Sequence, residues 1–225
     1  ILDTTDQGKV KEAGYEIVEN YDSYIMAKKP VGKDPLFLKK NGISVIKQQK
    51  DLKKIHLKTG TITKEDVETI KSKSILSSNS YYLVKAIGPI KQEWKSTIED
   101  HGDIVDYIPE NTYITKLSNQ EAEKLSEKDY VSFVGNYKSS YKISPKLKES
   151  KGIGWITIST YEDSDSIITK LSSYGEIIKH GKDHVTMKVD GSYIDEIANI
   201  KGIAYIEPSV SLELLNSDAQ WTVQT

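Results

Sequence analysis

Two short runs of the chain carry side chains that could bind a metal ion. His180-Gly-Lys-Asp-His184 combines two imidazoles with a carboxylate, but the run straddles a predicted hairpin turn and makes a weak site. Glu162-Asp-Ser-Asp-Ser166 resembles half of a calcium loop, yet it lacks the glycine and the distal glutamate that such loops use. A capped helix start explains the second run better. We therefore expect no metal site and no bound cofactor.

Composition argues against several other kinds of function. The chain has no cysteine, so disulfides and thiolate metal sites are excluded. No Gly-x-Ser-x-Gly or comparable serine context occurs, so we expect no catalytic residues and no enzyme. The net charge is −2 with both signs interspersed, which disfavours nucleic acid as a partner. No apolar run approaches the roughly 18 residues of a membrane span.

A structural unit repeats along the 225 residues. Residues 81–86 open one copy and residues 155–159 open another, and Gly102 of the first corresponds to Gly175 of the second. A third copy precedes them, in which Gly14 corresponds to Gly102. In that register its first strand would lie before Ile1, so we expect the first copy to lack this strand.

Hydrophobic periodicity gives each copy the order β-α-β-β-α-β. Residues 112–117 and 184–189 alternate as half-buried strands do, and amphipathic helices are predicted at 119–129 and 192–200. The predicted fold class is α+β: tandem ferredoxin-like modules with antiparallel sheets, helices on one face and the other face open. The predicted divisions are an incomplete first module (1–62), a helix and linker (63–80), a second module (81–140), a linker (141–152), a third module (153–210) and an extended tail (211–225).

The end of the third module resembles a known family. Ile203-Ala-Tyr-Ile-Glu-Pro208, followed by an extended apolar stretch, is similar to the propeptides of subtilisin-like serine proteases. Gly88-Pro-Ile and Tyr107-Ile-Pro109 resemble the pro-regions of secreted archaeal members. The resemblance implies that Glu207 caps helix N-termini on a protease, where negative charge is favoured. It also implies that Leu215 fills the first specificity pocket and Leu212 the fourth.

Two functions remain open. The tail residues Trp221, Thr222, Val223, Gln224 and Thr225 have the pattern of a first strand. They could complete the first module of another copy, building an extracellular or cell-surface filament head to tail. Alternatively, the chain is a pro-region that folds and inhibits a subtilisin-like protease catalytic domain. The initial Ile1, in place of Met, favours a processed and secreted chain in both cases.

Overall fold

The computed structural model divides the chain into two compact units. The first unit holds residues 1–57 and 61–137, and the second holds residues 58–60 and the chain from 138 onward. The described residues are 1–32, 38, 40, 42–46, 54–63, 66, 80–147 and 152–209. Within them the protein is α+β, with several small antiparallel sheets and few helices, as predicted at that coarse level.

The first sheet occupies the amino-terminal part of the first unit. Its elements are β1 (Leu2–Asp3), α1 (Gln7–Glu12), β2 (Glu16–Asn20), β3 (Ile25–Lys28) and β4 (Ser44–Val45). The strands lie in the order β2-β3-β1-β4, and every neighbouring pair is antiparallel. Asp6 begins α1 by accepting a hydrogen bond from the Lys9 N–H. The buried cluster beneath this sheet consists of Leu2, Val10, Ala13, Tyr15, Ile25, Leu38 and Ile43.

The expectation that the first strand is missing is wrong in its strict form. Leu2 pairs with Ile25 of β3 on one side and with Val45 of β4 on the other, so β1 takes the central position of its sheet. Leu2 is 3% exposed and belongs to the core cluster. The alignment of the repeats did not predict β1 because a strand of two residues carries no periodic hydrophobic signal.

The second sheet lies in the carboxyl-terminal part of the first unit. A two-stranded sheet of β5 (Lys54–Leu57) and β6 (Gly60–Thr63) precedes it along the chain. Its own elements are β7 (Ser80–Ala86), α2 (Gln92–His101), β8 (Asp103–Ile108), β9 (Thr112–Leu117), α3 (Asn119–Ser126) and β10 (Val131–Asn136). The strand order is β10-β7-β9-β8. The turn between β8 and β9 has Glu110 and Asn111 at φ 69° and 68°, the left-handed pair that tight hairpins require.

The third sheet forms the second unit. Its elements are β11 (Ile153–Thr160), α4 (Asp165–Leu171), β12 (Gly175–Gly181), β13 (His184–Asp190), α5 (Ile194–Ala198) and β14 (Ile203–Pro208). The order is β12-β13-β11-β14, so all three sheets place their second, third, first and fourth strands side by side in that sequence. Short 3-10 turns at Ser139–Tyr141, Pro145–Leu147 and Gly191–Tyr193 complete this unit.

The glycines paired by the repeat have the same physical role. A side-chain carbon at Gly102 would lie 2.3 Å from the Lys116 carbonyl oxygen, and one at Gly175 would lie 2.2 Å from the Lys188 carbonyl oxygen. Each glycine therefore follows a helix and lets the chain enter the sheet against the backbone of a neighbouring strand. Because a side chain does not fit at this position, glycine occurs at the same point of both repeats.

The predicted open faces are not uniformly open. In the second sheet Tyr82 and Val84 face the helices, so alternation places Leu83 and Lys85 on the opposite face. Those two residues are 0% and 1% exposed, and that face is therefore covered. In the third sheet, one face is partly exposed and partly buried. Trp155 and Lys188 are exposed. Thr186 is only 4% exposed.

Several predicted segments fall outside the described residues. They are the charged helix at 64–73 apart from Asp66, the linker at 74–79, and the tail at 211–225. Between β3 and β4, Leu38 and Lys40 have helical backbone. Ser80, the last residue of the predicted linker, instead begins β7.

Candidate functional site

The central strand of the first sheet is much shorter than its counterparts. β1 has 2 residues, whereas β7 has 7 and β11 has 8. β3 continues past the Leu2–Ile25 pair through Met26, Ala27 and Lys28, which pair with β2 on their other side. No described residue pairs with Ala27 or Lys28 on the side of β1. We call this unpaired stretch of β3 at Ala27–Lys28 the strand slot.

Apolar side chains surround the strand slot. On the β4 side, the Ile46 N–H donates to the Ile1 carbonyl oxygen at 3.0 Å, which marks the outer end of the β1 pairing. Val45 is 37% exposed and Ile46 is 58% exposed, while Val31, just after β3, is fully exposed. An unpaired strand edge can pair with a strand from another copy or with residues of the same chain that precede Ile1.

An aromatic cluster lies behind the same sheet. Tyr21 stacks on Tyr24 with ring centroids 4.5 Å apart and meets the edge of Trp94 at 6.4 Å. Trp94, which is 5% exposed, also stacks on Tyr130 at 5.1 Å. The sequence interpretation did not predict these contacts of Trp94. It missed Tyr21, which no local pattern could connect with a residue so distant along the chain.

Glu207, the capping acid implied by the propeptide resemblance, is exposed near the end of β14. It lies opposite Thr157 of β11. The Ser209 N–H then donates to the Trp155 carbonyl oxygen at 2.9 Å, so the chain is still paired with β11 as it leaves the sheet. The two other residues of that site, Leu212 and Leu215, lie outside the described residues, as do Trp221, Thr222, Val223, Gln224 and Thr225.

The segment predicted as a linker at 141–152 packs on the third sheet through its first residues. Ile143 makes a parallel bridge with Ile206, and the Ser144 N–H donates to the Ile206 carbonyl oxygen at 2.8 Å. Ile143 and Leu147 join the core cluster of this sheet. The segment is rich in Lys and Ser, but the buried side chains of Ile143 and Leu147 anchor it to the sheet. We call residues 142–147 the strap.

The histidines of the possible metal run lie apart in separate pairs. His180 Nδ1 lies 3.3 Å from an Asp165 carboxylate oxygen, and His184 Nδ1 lies 3.0 Å from that of Asp183. The hydrogen bond from His184 holds the pKa of Asp183 below its usual value. Within the described ranges, no group of three or more metal-type ligands occurs.

One comparison with known proteins found a match to part of the chain. A family model described as a domain of unknown function (DUF8729) matches residues 56–138, which is less than half of the chain. No curated protein and no solved structure matches the chain. The matched residues run from β5 to just past β10, and β5 and β8 contact each other. In the described part of the chain, no helix is long and apolar enough to cross a membrane.

Proposed function

We propose that this protein is a non-enzymatic extracellular structural subunit. It consists of tandem ferredoxin-like modules related to subtilase propeptides, and each copy donates Trp221–Thr225 to the strand slot of the next. The observation that carries the proposal is the two-residue β1 beside a β3 that continues past it. Strand addition at such a position supplies main-chain hydrogen bonds to both partners.

The register of β1 defines how a donated strand would lie. β1 is antiparallel to β3, so the position just before Ile1 faces Ala27. Ala27 packs against the core cluster of the first sheet, and directly opposed residues point to the same face. When Thr225 of a donor occupies that position, only Thr225 and Gln224 lie opposite the strand slot, whereas Val223 and Trp221 lie opposite Lys29 and Val31, beyond the end of β3. Val223 and Trp221 share the core-facing side of the donor strand with Thr225, and Thr222 and Gln224 point to the other side.

A contact of this kind joins two different surfaces of the same chain. Such head-to-tail contacts form an open filament unless the rotation between subunits happens to close a ring. Backbone pairing supplies much of the affinity, and Trp221 and Val223 fix the register.

Assembly of matched tail variants tests the proposal. Val223→Asp places a carboxylate on the core-facing side of the donor strand, so we expect monomers by sedimentation velocity and electron microscopy. Gln224→Asp puts the same group on the other face and should still assemble. A chain truncated before Asp218 should accept a tail without donating one, and should shorten wild-type filaments when mixed with them.

Two results would overturn the proposal. The first is polymerisation of the Val223→Asp chain at wild-type concentrations. The second is filling of the strand slot by residues that precede Ile1 in a longer chain, which would make assembly independent of Trp221–Thr225. Both are visible in the same sedimentation experiment, performed on the chain with and without an amino-terminal extension.

A second candidate is inhibition of a subtilisin-like protease. The observation that favours it is the geometry at the end of β14, where Glu207 is exposed and Ser209 continues the pairing with β11. The chain therefore leaves the sheet extended, as a segment entering a substrate cleft must. Inhibition of subtilisin cleavage of a chromogenic peptide should weaken in Glu207→Ala and Leu215→Asp, but not in Glu196→Ala, which removes an exposed acid elsewhere. No inhibition by the wild-type chain would exclude this role.

A further inference from the structure

Gly88 lies against the back of the first sheet, close to the strand slot. A side-chain carbon at this position would lie 2.6 Å from Met26 Sδ and 2.9 Å from the Tyr21 hydroxyl oxygen. Met26 is 4% exposed, and its neighbour Ile25 belongs to the core cluster, so Met26 points to the opposite face of the sheet. The segment that follows β7 therefore covers β3 from behind at the point where β1 stops.

Polar contacts hold the same segment against the β2–β3 hairpin. The Tyr21 hydroxyl donates to the Pro89 carbonyl oxygen at 2.8 Å, and burial raises the pKa of this hydroxyl, which keeps it protonated as a donor. Lys91 Nζ lies 2.9 Å from a Glu19 carboxylate oxygen, with both side chains about three-quarters covered. The same ammonium lies 5.2 Å from the Tyr21 ring centroid and 5.5 Å from that of Trp94.

We infer that the strand slot is a composite site in which the segment Gly88–Lys91 fixes the position of β3 for strand capture. Met26 and Gly88 form the contact between the two parts, and Lys91 is a positioning residue that acts through Glu19 and Tyr21. The inference rests on the proposed function. It adds that residues which do not pair with the donor strand also determine how tightly that strand binds. A donor side chain opposite Lys28 would lie on the face that this segment covers.

The contact between Gly88 and Met26 should affect binding of the donor strand as well as stability. A methyl group at Gly88 would meet the ends of the Met26 and Tyr21 side chains, and Met26 is buried, so these side chains must move against β3. A displacement that reaches the β3 backbone would move the edge at Ala27 and Lys28 and weaken its main-chain hydrogen bonds. Gly88→Ala should therefore reduce strand capture although the slot sequence is unchanged. Shortening Met26 removes the atoms that the new methyl group would meet, so a second substitution at Met26 should restore binding.

Peptide binding to the full chain measures this effect. The acceptor is the full-length Val223→Asp chain, whose own tail is disabled, and the probe is a fluorescein-labelled peptide of residues 218–225. We expect Gly88→Ala to weaken binding about tenfold by fluorescence anisotropy, and Gly88→Ala with Met26→Ala to recover most of the loss. Gly154→Ala is the matched control, because nothing lies within 4 Å of a side-chain carbon there.

The outcomes separate the two proposals. If the peptide fails to bind the Val223→Asp acceptor, the proposed function is wrong. If it binds this acceptor and the Gly88→Ala chain equally, or if Met26→Ala brings no recovery, strand donation survives and the composite site is wrong. Lys91→Met keeps the apolar stem and removes the charge, so it tests the same inference independently if Gly88→Ala does not fold. Wild-type binding by Lys91→Met would then overturn the composite site.

Discussion

Replacing Lys142 by Met should stabilise the second unit at neutral pH and remove part of its pH dependence. Lys142 lies in the strap and is 6% exposed. Its Nζ donates to the Ala198 carbonyl oxygen at 3.2 Å, at the end of α5. Burial lowers the pKa of this ammonium from 10.5 to about 8, because removal from water disfavours the charged form.

The direction of the effect follows from proton binding in the two states. Between pH 8 and 10.5 the folded chain holds Lys142 neutral, whereas the unfolded chain still binds the proton. The free energy of unfolding therefore rises with pH across this window, and the gain is lost as the pH falls toward 8. A lowering of this size corresponds to about 3 kcal/mol. The neutral amine keeps its hydrogen bond to Ala198, which contributes about 1 kcal/mol.

The Met variant should therefore be more stable than wild type by about 2 kcal/mol at pH 7. Above pH 10.5 it should be less stable by about 1 kcal/mol, since only the hydrogen bond is then missing. Guanidinium unfolding from pH 7 to 11 measures the difference, followed by Trp155 fluorescence in a background that carries Trp94→Phe and Trp221→Phe. Lys188→Met, which replaces an exposed lysine of the same sheet, is the control. A difference between Met variant and wild type that is constant across this range would refute the reasoning.

Three further substitutions test the packing of the first unit. Leu2→Ala removes a buried side chain of β1 and should destabilise the first sheet by about 2–5 kcal/mol in denaturant unfolding, with its hairpin amides losing hydrogen-exchange protection first. Gly102→Ala should lower the thermal midpoint because a methyl group meets the Lys116 carbonyl oxygen, whereas Gly154→Ala should not. Ser118→Ala removes the oxygen that caps α3, and should reduce stability by about 1 kcal/mol in the same assay.

The local elements could be predicted because the sequence carries their signals directly. Alternation over 112–117 predicts β9, and the structure has this strand at Thr112–Leu117. The predicted helix 119–129 begins correctly but ends at Ser126, since the chain turns there through a hydrogen bond from the Lys128 N–H to the Leu125 carbonyl oxygen. Boundaries depend on such turn contacts, which periodicity does not report.

The covered face of the second sheet had a readable signal that the interpretation overlooked. The run Tyr81-Tyr-Leu-Val-Lys-Ala86 does not alternate between apolar and polar residues, and a continuous apolar strand predicts burial on both faces. The Gly88–Met26 contact had no such signal. Glycine marks a close approach only after the partner is known, and here the partner belongs to the β2–β3 hairpin of another sheet.

The strap covers the edge strand β14 and so limits where another strand can pair with this chain. β14 is the last strand of its sheet, and an uncovered edge strand pairs readily with other chains. Residues 142–144 occupy its outer side, since the Ile206 N–H donates to the Lys142 carbonyl oxygen at 2.7 Å and Ile143 bridges to Ile206. Unspecific pairing at that edge is thereby blocked, whereas the strand slot of the first sheet has no described cover. Within the described residues, strand addition is therefore blocked at the outer side of β14 at Ile206 and is not blocked at the strand slot.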